Sequence, residues 1–362
     1  MSMTNELSAL NANKDRRNEN FFKRVFKYFL PWKGDGIGEI FRKFVFIGSI
    51  VVFCFSVGEL MTYINGDKET LKTIKQMQDV KPTVYENNAD NATSVEHEDK
   101  DNPNYNPPQA QQNQEVKVDE SWKELLALNN DIIGWISVDS MKNDAGDLYI
   151  DYAVMQGDDN DFYLKHNELK KYSQSGSLFA DYRYPVTAMS SPDNVIIYGH
   201  NMNLAGTYFS HLAEYQKNVE FLRSNPLITF NTLYSSSKEQ WVIISCFVSN
   251  AEASQDPESS FNYIMYQNFD ETYPFETWKA EILKRSWYSS DIDFNENDKF
   301  LTLSTCCNAV NNTRLVIVAR KVRVNDDVDA LIKTYKERND ADIYFPRCWT
   351  KVWGNRKVYK AS

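Results

Sequence analysis

Cysteine and histidine are scarce in this 362-residue chain, with five of the first and four of the second. No CxxC pair and no histidine cluster occurs, so a zinc site built on those spacings is excluded as a reading. The cysteines (Cys54, Cys246, Cys306, Cys307 and Cys348) are neither numerous nor regularly spaced, which argues against a disulfide-stapled small domain. Basic charge is also in deficit. Forty Lys and Arg stand against fifty Asp and Glu, a net charge of -10, and such a field repels a nucleic acid backbone. Long apolar runs are missing except for one, which excludes a polytopic membrane protein. What remains is a globular composition, with 42% hydrophobic, 14% aromatic and 25% charged residues. The length allows about two or three units.

The one long apolar run is FVFIGSIVVFCFSVGELMTYI, residues 44–64. About 20 apolar residues in helical form match the hydrocarbon thickness of a bilayer. Residues 1–43 carry nine Lys or Arg against five acids, and cations beside a span favour the cytoplasmic side. The expectation is a single anchor with the N-terminus inside and the remainder outside the cell. A cleaved leader starts nearer the N-terminus and ends in a small-x-small site, which this run lacks. Residues 21–32 mix aromatics with cations, and are read as either a membrane-surface helix or a solvated one.

After the run, residues 67–80 read as a short polar helix. Residues 81–117 are rich in Asn, Asp, Gln and Pro and nearly free of apolar side chains, the composition of a disordered tether. The expected layout is therefore a basic N-terminus (1–43), an anchor (44–64), a stalk and linker (65–118), a folded head (119–325) and a C-terminal helix and tail (326–362). A cut at residue 118 is expected to leave the head soluble and active. The head opens with a helix over 121–129 and then turns to short β-branched or aromatic runs: IIGWISV, LYIDYAVMQ, GSLFADY, NVIIYGH, LITFNTL, QWVIISCFV, KFLTLST and RLVIVARKV. Many short strands with isolated helices, such as 277–286 and 326–338, point to a mainly β barrel or sandwich.

Three side chains stand where chemistry needs them. Period-2 alternation in KFLTLSTC puts Thr302, Ser304 and Cys306 on one face, with Cys306 at the strand end. Seven residues intervene before Arg314 opens the next strand, so an antiparallel hairpin returns Arg314 beside Cys306. A guanidinium stays protonated and offers fixed donors to a thiolate or an oxyanion. His200 ends NVIIYGH at another strand mouth; alone it reads most simply as structural, but with Cys306 and Arg314 it completes a nucleophile and acid–base set. His166 and His211 read as surface or packing residues, Cys246 as a small buried strand residue, and Cys307 as packing or loop.

These residues carry a resemblance. TLSTC followed by an Arg opening LVIVA, with YGH upstream, resembles the sortases, the cysteine transpeptidases of Gram-positive cell surfaces. The stretches DIIGWISV, YAVMQGDDNDFYL and GSLFADYR are similar to class B members. The resemblance implies a closed sortase β-barrel needing no cofactor and no metal. It implies that Cys306 attacks a Thr carbonyl in an NPxTx-like C-terminal sorting signal of a surface protein or pilin, giving a thioacyl enzyme. An amine of a peptidoglycan cross-bridge or a pilin Lys then resolves it, with His200 moving the proton and Arg314 holding the oxyanion. It also implies that Asn160, Leu164 and Ser304 line the substrate groove; read from the residues alone, Asp158 and Asp159 are helix caps and Asn160 an ordinary first-turn residue. The chain departs from the class at Cys307 and Asn308, where acidic residues stand in those relatives. Two alternatives stay open from the residues: a hydrolytic thiol protease with the same groups, and a catalytically silent surface-binding module.

Overall fold

A computed structural model describes residues 21–82, 118–202, 206–252, 254, 256 and 261–359, apart from 22 and 24. The expected tether lies outside the described residues except for its first two. The chain divides into two compact units, residues 1–66 and 67–362.

In the first unit, helix α1 (Ile37–Asp79) begins, and none of its most apolar stretch is buried. Phe44, Val52, Phe53, Phe55 and Leu60 all face outward. By length and composition it is the one helix among the described residues able to cross a bilayer.

The second unit is built on a closed eight-stranded barrel. After the short helix α2 (Lys123–Leu128) come β1 (Ile132–Ser137), β2 (Asp151–Met155), β3 (Phe179–Ala180), β4 (Asn194–Tyr198) and a small hairpin of β5 (Asn201–Met202) and β6 (Thr207–Tyr208). Helix α3 (Val219–Ser224), β7 (Leu227–Thr232), β8 (Gln240–Asn250), helix α4 (Phe275–Arg285), β9 (Tyr288–Ser289), β10 (Phe300–Cys306) and β11 (Thr313–Lys321) follow. Around the barrel the order is β1-β2-β3-β4-β10-β11-β8-β7. The β2–β3 and β4–β10 pairs are parallel and the remaining pairs antiparallel. The expected runs all become strands because their β-branched and aromatic residues suit a pleated, buried surface. Ile136, Ile197, Leu301, Leu303, Ile317 and Phe247 fill the main core. Where β1 meets β7, a Cβ on Gly134 would stand 2.4 Å from the carbonyl oxygen of Asn231, so only glycine permits that approach.

Two segments differ from the sequence reading. Residues 67–81, expected in the stalk, pack on the barrel as part of the second unit. Met77 joins Trp122, Leu125, Trp135 and Met155 in a second apolar cluster, while Gln78 Nε2 donates to the Asp151 carbonyl at 3.0 Å and Lys81 pairs with the Asp151 carboxylate at 2.5 Å. The short polar helix expected over 67–80 is the continuation of α1 to Asp79, and its buried stripe of Thr70, Thr73, Ile74 and Met77 is what docks. Replacing Met77 by Ala is expected to lower stability by about 2–3 kcal/mol, a fall in Tm of roughly 5–10 °C. Thermal unfolding of the full chain in detergent, followed by near-UV circular dichroism, checks this, and an unchanged Tm would mean the docking contributes nothing. A cut at 118 removes the same contacts.

The expected helix over 326–338 is also broken. Helix α5 (Val328–Lys333) is capped by Asp327, then β12 (Lys336–Glu337) pairs with β9. The cause is Tyr335, which is 1% exposed and donates its hydroxyl to the Ile243 carbonyl, pulling the chain inward. The tail ends in helix α6 (Arg347–Trp353), whose Trp349 is fully buried against Trp287 and Phe345.

Candidate active site

Cys306 closes β10, and its register partner across the hairpin is Arg314, the second residue of β11. The antiparallel return expected from the seven-residue spacing is therefore present. On the other side of β10 lies β4, running parallel, with Ser304 opposite Tyr198. The pairing continues past the strand ends. Gly199 N–H donates to the Ser304 carbonyl at 3.2 Å and Thr305 Oγ1 donates to the Gly199 carbonyl at 2.8 Å. Asn201 Nδ2 then donates to the carbonyl of Cys306 at 3.1 Å. Cys306 and His200 thus emerge from adjacent strands, whose spacing is about 4.8 Å. A Cβ on Gly199 would lie 2.3 Å from Leu178 and 2.8 Å from Phe209, so the residue before His200 must be glycine for the strand to sit this close to its backing.

His200 Nε2 lies 2.9 Å from the Leu164 carbonyl oxygen. A carbonyl only accepts, so Nε2 carries the proton and Nδ1 is the free ring nitrogen. Cys306, His200 and Arg314 are each partly exposed. Among the described residues Arg314 forms no ion pair; its recorded side-chain hydrogen bond goes to the neighbouring Thr313 carbonyl, at 3.3 Å. Its charge is left for whatever enters the site.

All three side chains open into one groove of about 690 Å³, which Ser304, Leu164 and Asn160 also line. The other thiols of the barrel unit are unsuited to nucleophilic work. Burial pushes Cys246, Cys307 and Cys348 above the ordinary thiol range, and the thiolate is the attacking form. Cys307 is 5% exposed, in keeping with the packing role read from strand alternation.

Asn160 does more than line the groove. Its Nδ2 donates to Asp181 Oδ2 at 3.1 Å and its Oδ1 accepts from the Tyr182 N–H at 3.2 Å. Asp181 is itself buried; burial opposes its ionisation, yet the bound Arg183 guanidinium and Tyr198 hydroxyl hold its carboxyl below the usual value. Where Asp158 and Asp159 are read as helix caps, the structure has a single 3-10 turn, Phe162–Leu164, with Asp159 Oδ1 accepting from the Asp161 and Phe162 N–H groups at its start. Leu164 contributes its carbonyl to His200 as well as its side chain to the groove.

Two groove or site residues escape sequence reasoning. Tyr263, 6% exposed, shares a 2.8 Å hydrogen bond with Ser304 Oγ on the floor of the groove. It arrives from the irregular excursion between β8 and α4, where no periodicity announces a position. Asn201 stands directly after His200, and only its bond to the Cys306 carbonyl, across 105 residues of chain, marks it as a tie between the two strands.

The arrangement can be set beside known proteins. Residues 144–322 match the Sortase domain model. Sortase B of Listeria monocytogenes is 31% identical over 190 residues, covering 52% of this chain and 68% of that protein. The chain belongs to the sortase family. Sortase B of Staphylococcus aureus is 28% identical over 206 residues, 56% of this chain and 75% of that protein. The crystal structure of sortase B from Clostridium perfringens is 34% identical and covers 56% of this chain and 99% of that one, with a TM-score of 0.46. This sortase is of class B and is a cysteine transpeptidase by family. The docked helix, β1 and the tail after residue 322 lie outside the matched domain, while His200, Cys306 and Arg314 lie within it.

Proposed function

We propose that this sortase cleaves a C-terminal sorting signal of the NPxTx kind and joins the new carboxyl end to an amine, with Cys306, His200 and Arg314 as its catalytic residues. The observation that carries the reading is the register of Cys306 with Arg314, tied through Asn201 to the strand end bearing His200, over one shared groove. Cys306 gives its thiol proton to His200 Nδ1 and the thiolate adds to the threonyl carbonyl carbon, while the charge that develops on oxygen faces the guanidinium of Arg314, which forms no ion pair among the described residues. The C–N bond breaks as the His200 imidazolium, which holds the former thiol proton on Nδ1, gives that proton to the leaving amine. A thioester is left on Cys306. An incoming amine gives a proton to His200, adds to the thioester carbon, and the C–S bond breaks to regenerate the thiolate. Ser304, Leu164 and Asn160 line the path of the bound peptide.

The acceptor is a primary amine of a peptidoglycan cross-bridge or of a pilin Lys. The apolar helix anchors the enzyme in the membrane, and its basic flank keeps the N-terminus inside, with the barrel outside. The support for the anchor is the length and lack of burial of that apolar stretch.

The test is release of the tail from sorting-signal peptides by the full chain in detergent. Release is expected to accelerate several-fold when amines are added and to yield an amide product. Release at the same rate with only a free carboxyl product would make the enzyme a hydrolase. No release from any sorting-signal peptide would favour a silent binding module.

A further inference from the structure

Glu168 is 1% exposed, and it is not used in the reaction. Its Oε1 accepts from the Tyr208 hydroxyl at 3.1 Å, while Oε2 is buried with no recorded partner. Burial pushes its carboxyl up to about 7, with its own backbone N–H and, to a lesser extent, the Tyr208 hydroxyl opposing the rise. An under-bonded carboxyl so far from water is costly and needs a reason.

The reason lies in what the Glu168–Tyr208 bond connects. Glu168 belongs to the loop between β2 and β3 that also presents the Leu164 carbonyl to His200. Tyr208 belongs to β6, paired with Asn201, the residue after His200; the next residue, Phe209, donates its N–H to the His200 carbonyl at 3.1 Å. The two segments that meet at the His200–Leu164 hydrogen bond are therefore stapled together a second time, by Glu168 and Tyr208. The staple is anchored on both sides. Asn129 Nδ2 donates to the Glu168 carbonyl at 2.9 Å, and the Tyr208 N–H donates to the Tyr152 hydroxyl at 3.0 Å. Tyr208 also sits at φ 55°, a left-handed conformation that a non-glycine residue keeps only where its surroundings over-determine it.

We propose that Glu168 is a positioning residue, holding the His200 imidazole against the Leu164 carbonyl through Tyr208. It touches neither substrate nor reacting atom. The phenols of Tyr208, Tyr152 and Tyr163 are the titratable groups around it, and no Lys, Arg or His among the described residues is recorded as bonded to its carboxyl. Below about pH 7 the carboxyl is neutral, so glutamine reproduces its shape and its acceptor. The inference rests on His200 serving as the proton carrier of the proposed reaction, and one arm of the test reads the imidazole without turnover.

The experiment compares E168Q, E168L and Y208F in the full chain in detergent at pH 6. The rate is expressed per active site titrated with a thiol reagent at Cys306, and the His200 ring is followed by NMR with 13Cε1-labelled histidine. E168L and Y208F are expected to lower kcat about tenfold or more, to leave KM for the peptide within about twofold, and to displace the His200 titration midpoint. E168Q is expected to restore both readouts to the parent. A purely structural role would reduce the number of titratable sites and leave kcat per site and the midpoint alone; that result in Y208F overturns the proposal, even if E168L does not fold. A displaced midpoint in an enzyme inactive on every peptide would keep the positioning role while removing the reaction assigned to His200.

Discussion

Cys306→Ala is expected to abolish turnover, by at least about a thousandfold, and to leave the fold and any peptide binding in place. The magnitude follows from what is deleted. Without the sulfur there is no covalent intermediate, and no neighbour can supply one. Cys307 is the next residue, but the chain points its thiol into the core, where it lies 4.0 Å from the Gln216 side-chain amide. Burial raises that thiol's proton affinity, as it does for Cys246 and Cys348. Single-turnover release of the peptide tail by the variant, with Tm as the control for folding, is the measurement. Residual activity near that of the parent would place the nucleophile elsewhere.

Arg314→Lys is expected to cost about 100- to 1,000-fold in kcat, although the charge is kept. Two properties of the site make the exchange severe. The guanidinium is rooted directly opposite Cys306 on the paired strand, and in the proposed reaction its planar fork meets the developing oxyanion with fixed donors. A lysine offers one mobile point charge instead. Among the described residues Arg314 also has no carboxylate partner, so the exchange breaks no ion pair there and the Tm is expected to change little. Kinetics close to the parent would remove the oxyanion role given to Arg314; a large fall in Tm would recast it as structural.

The barrel strands were legible because their signal is local. In KFLTLSTC the alternation sets the strand and its faces, RLVIVA is a continuous β-branched run, and the intervening seven residues set the hairpin register. His200 needed more, since its strand pairs with β10 across more than a hundred residues, and only the chemistry of a thiol seeking a base linked them. The docking of residues 67–81 has no signal in the sequence because Thr70, Thr73, Ile74 and Met77 make a narrow stripe within a charged segment, and their partners lie far along the chain: Ser173 for Thr70, Asn167 for Thr73, the main core for Ile74, and Trp122, Trp135 and Met155 for Met77. The same holds for the tail, whose helical pattern yields to one buried Tyr335. Tyr263 and Asn201 were invisible for a related reason: each acts through a single hydrogen bond to a distant strand, and a lone polar residue in a loop has no period to betray it.

The most direct test is to mix the full chain with a sorting-signal peptide in the absence of amine, quench in acid, digest with trypsin and weigh the fragments. The account predicts that the fragment spanning residues 300–314 gains the mass of the acyl part of the peptide, that fragmentation places the added mass on Cys306, and that a pulse of amine removes it. An unmodified fragment while the peptide is being cleaved, or an adduct on any other cysteine, would contradict it.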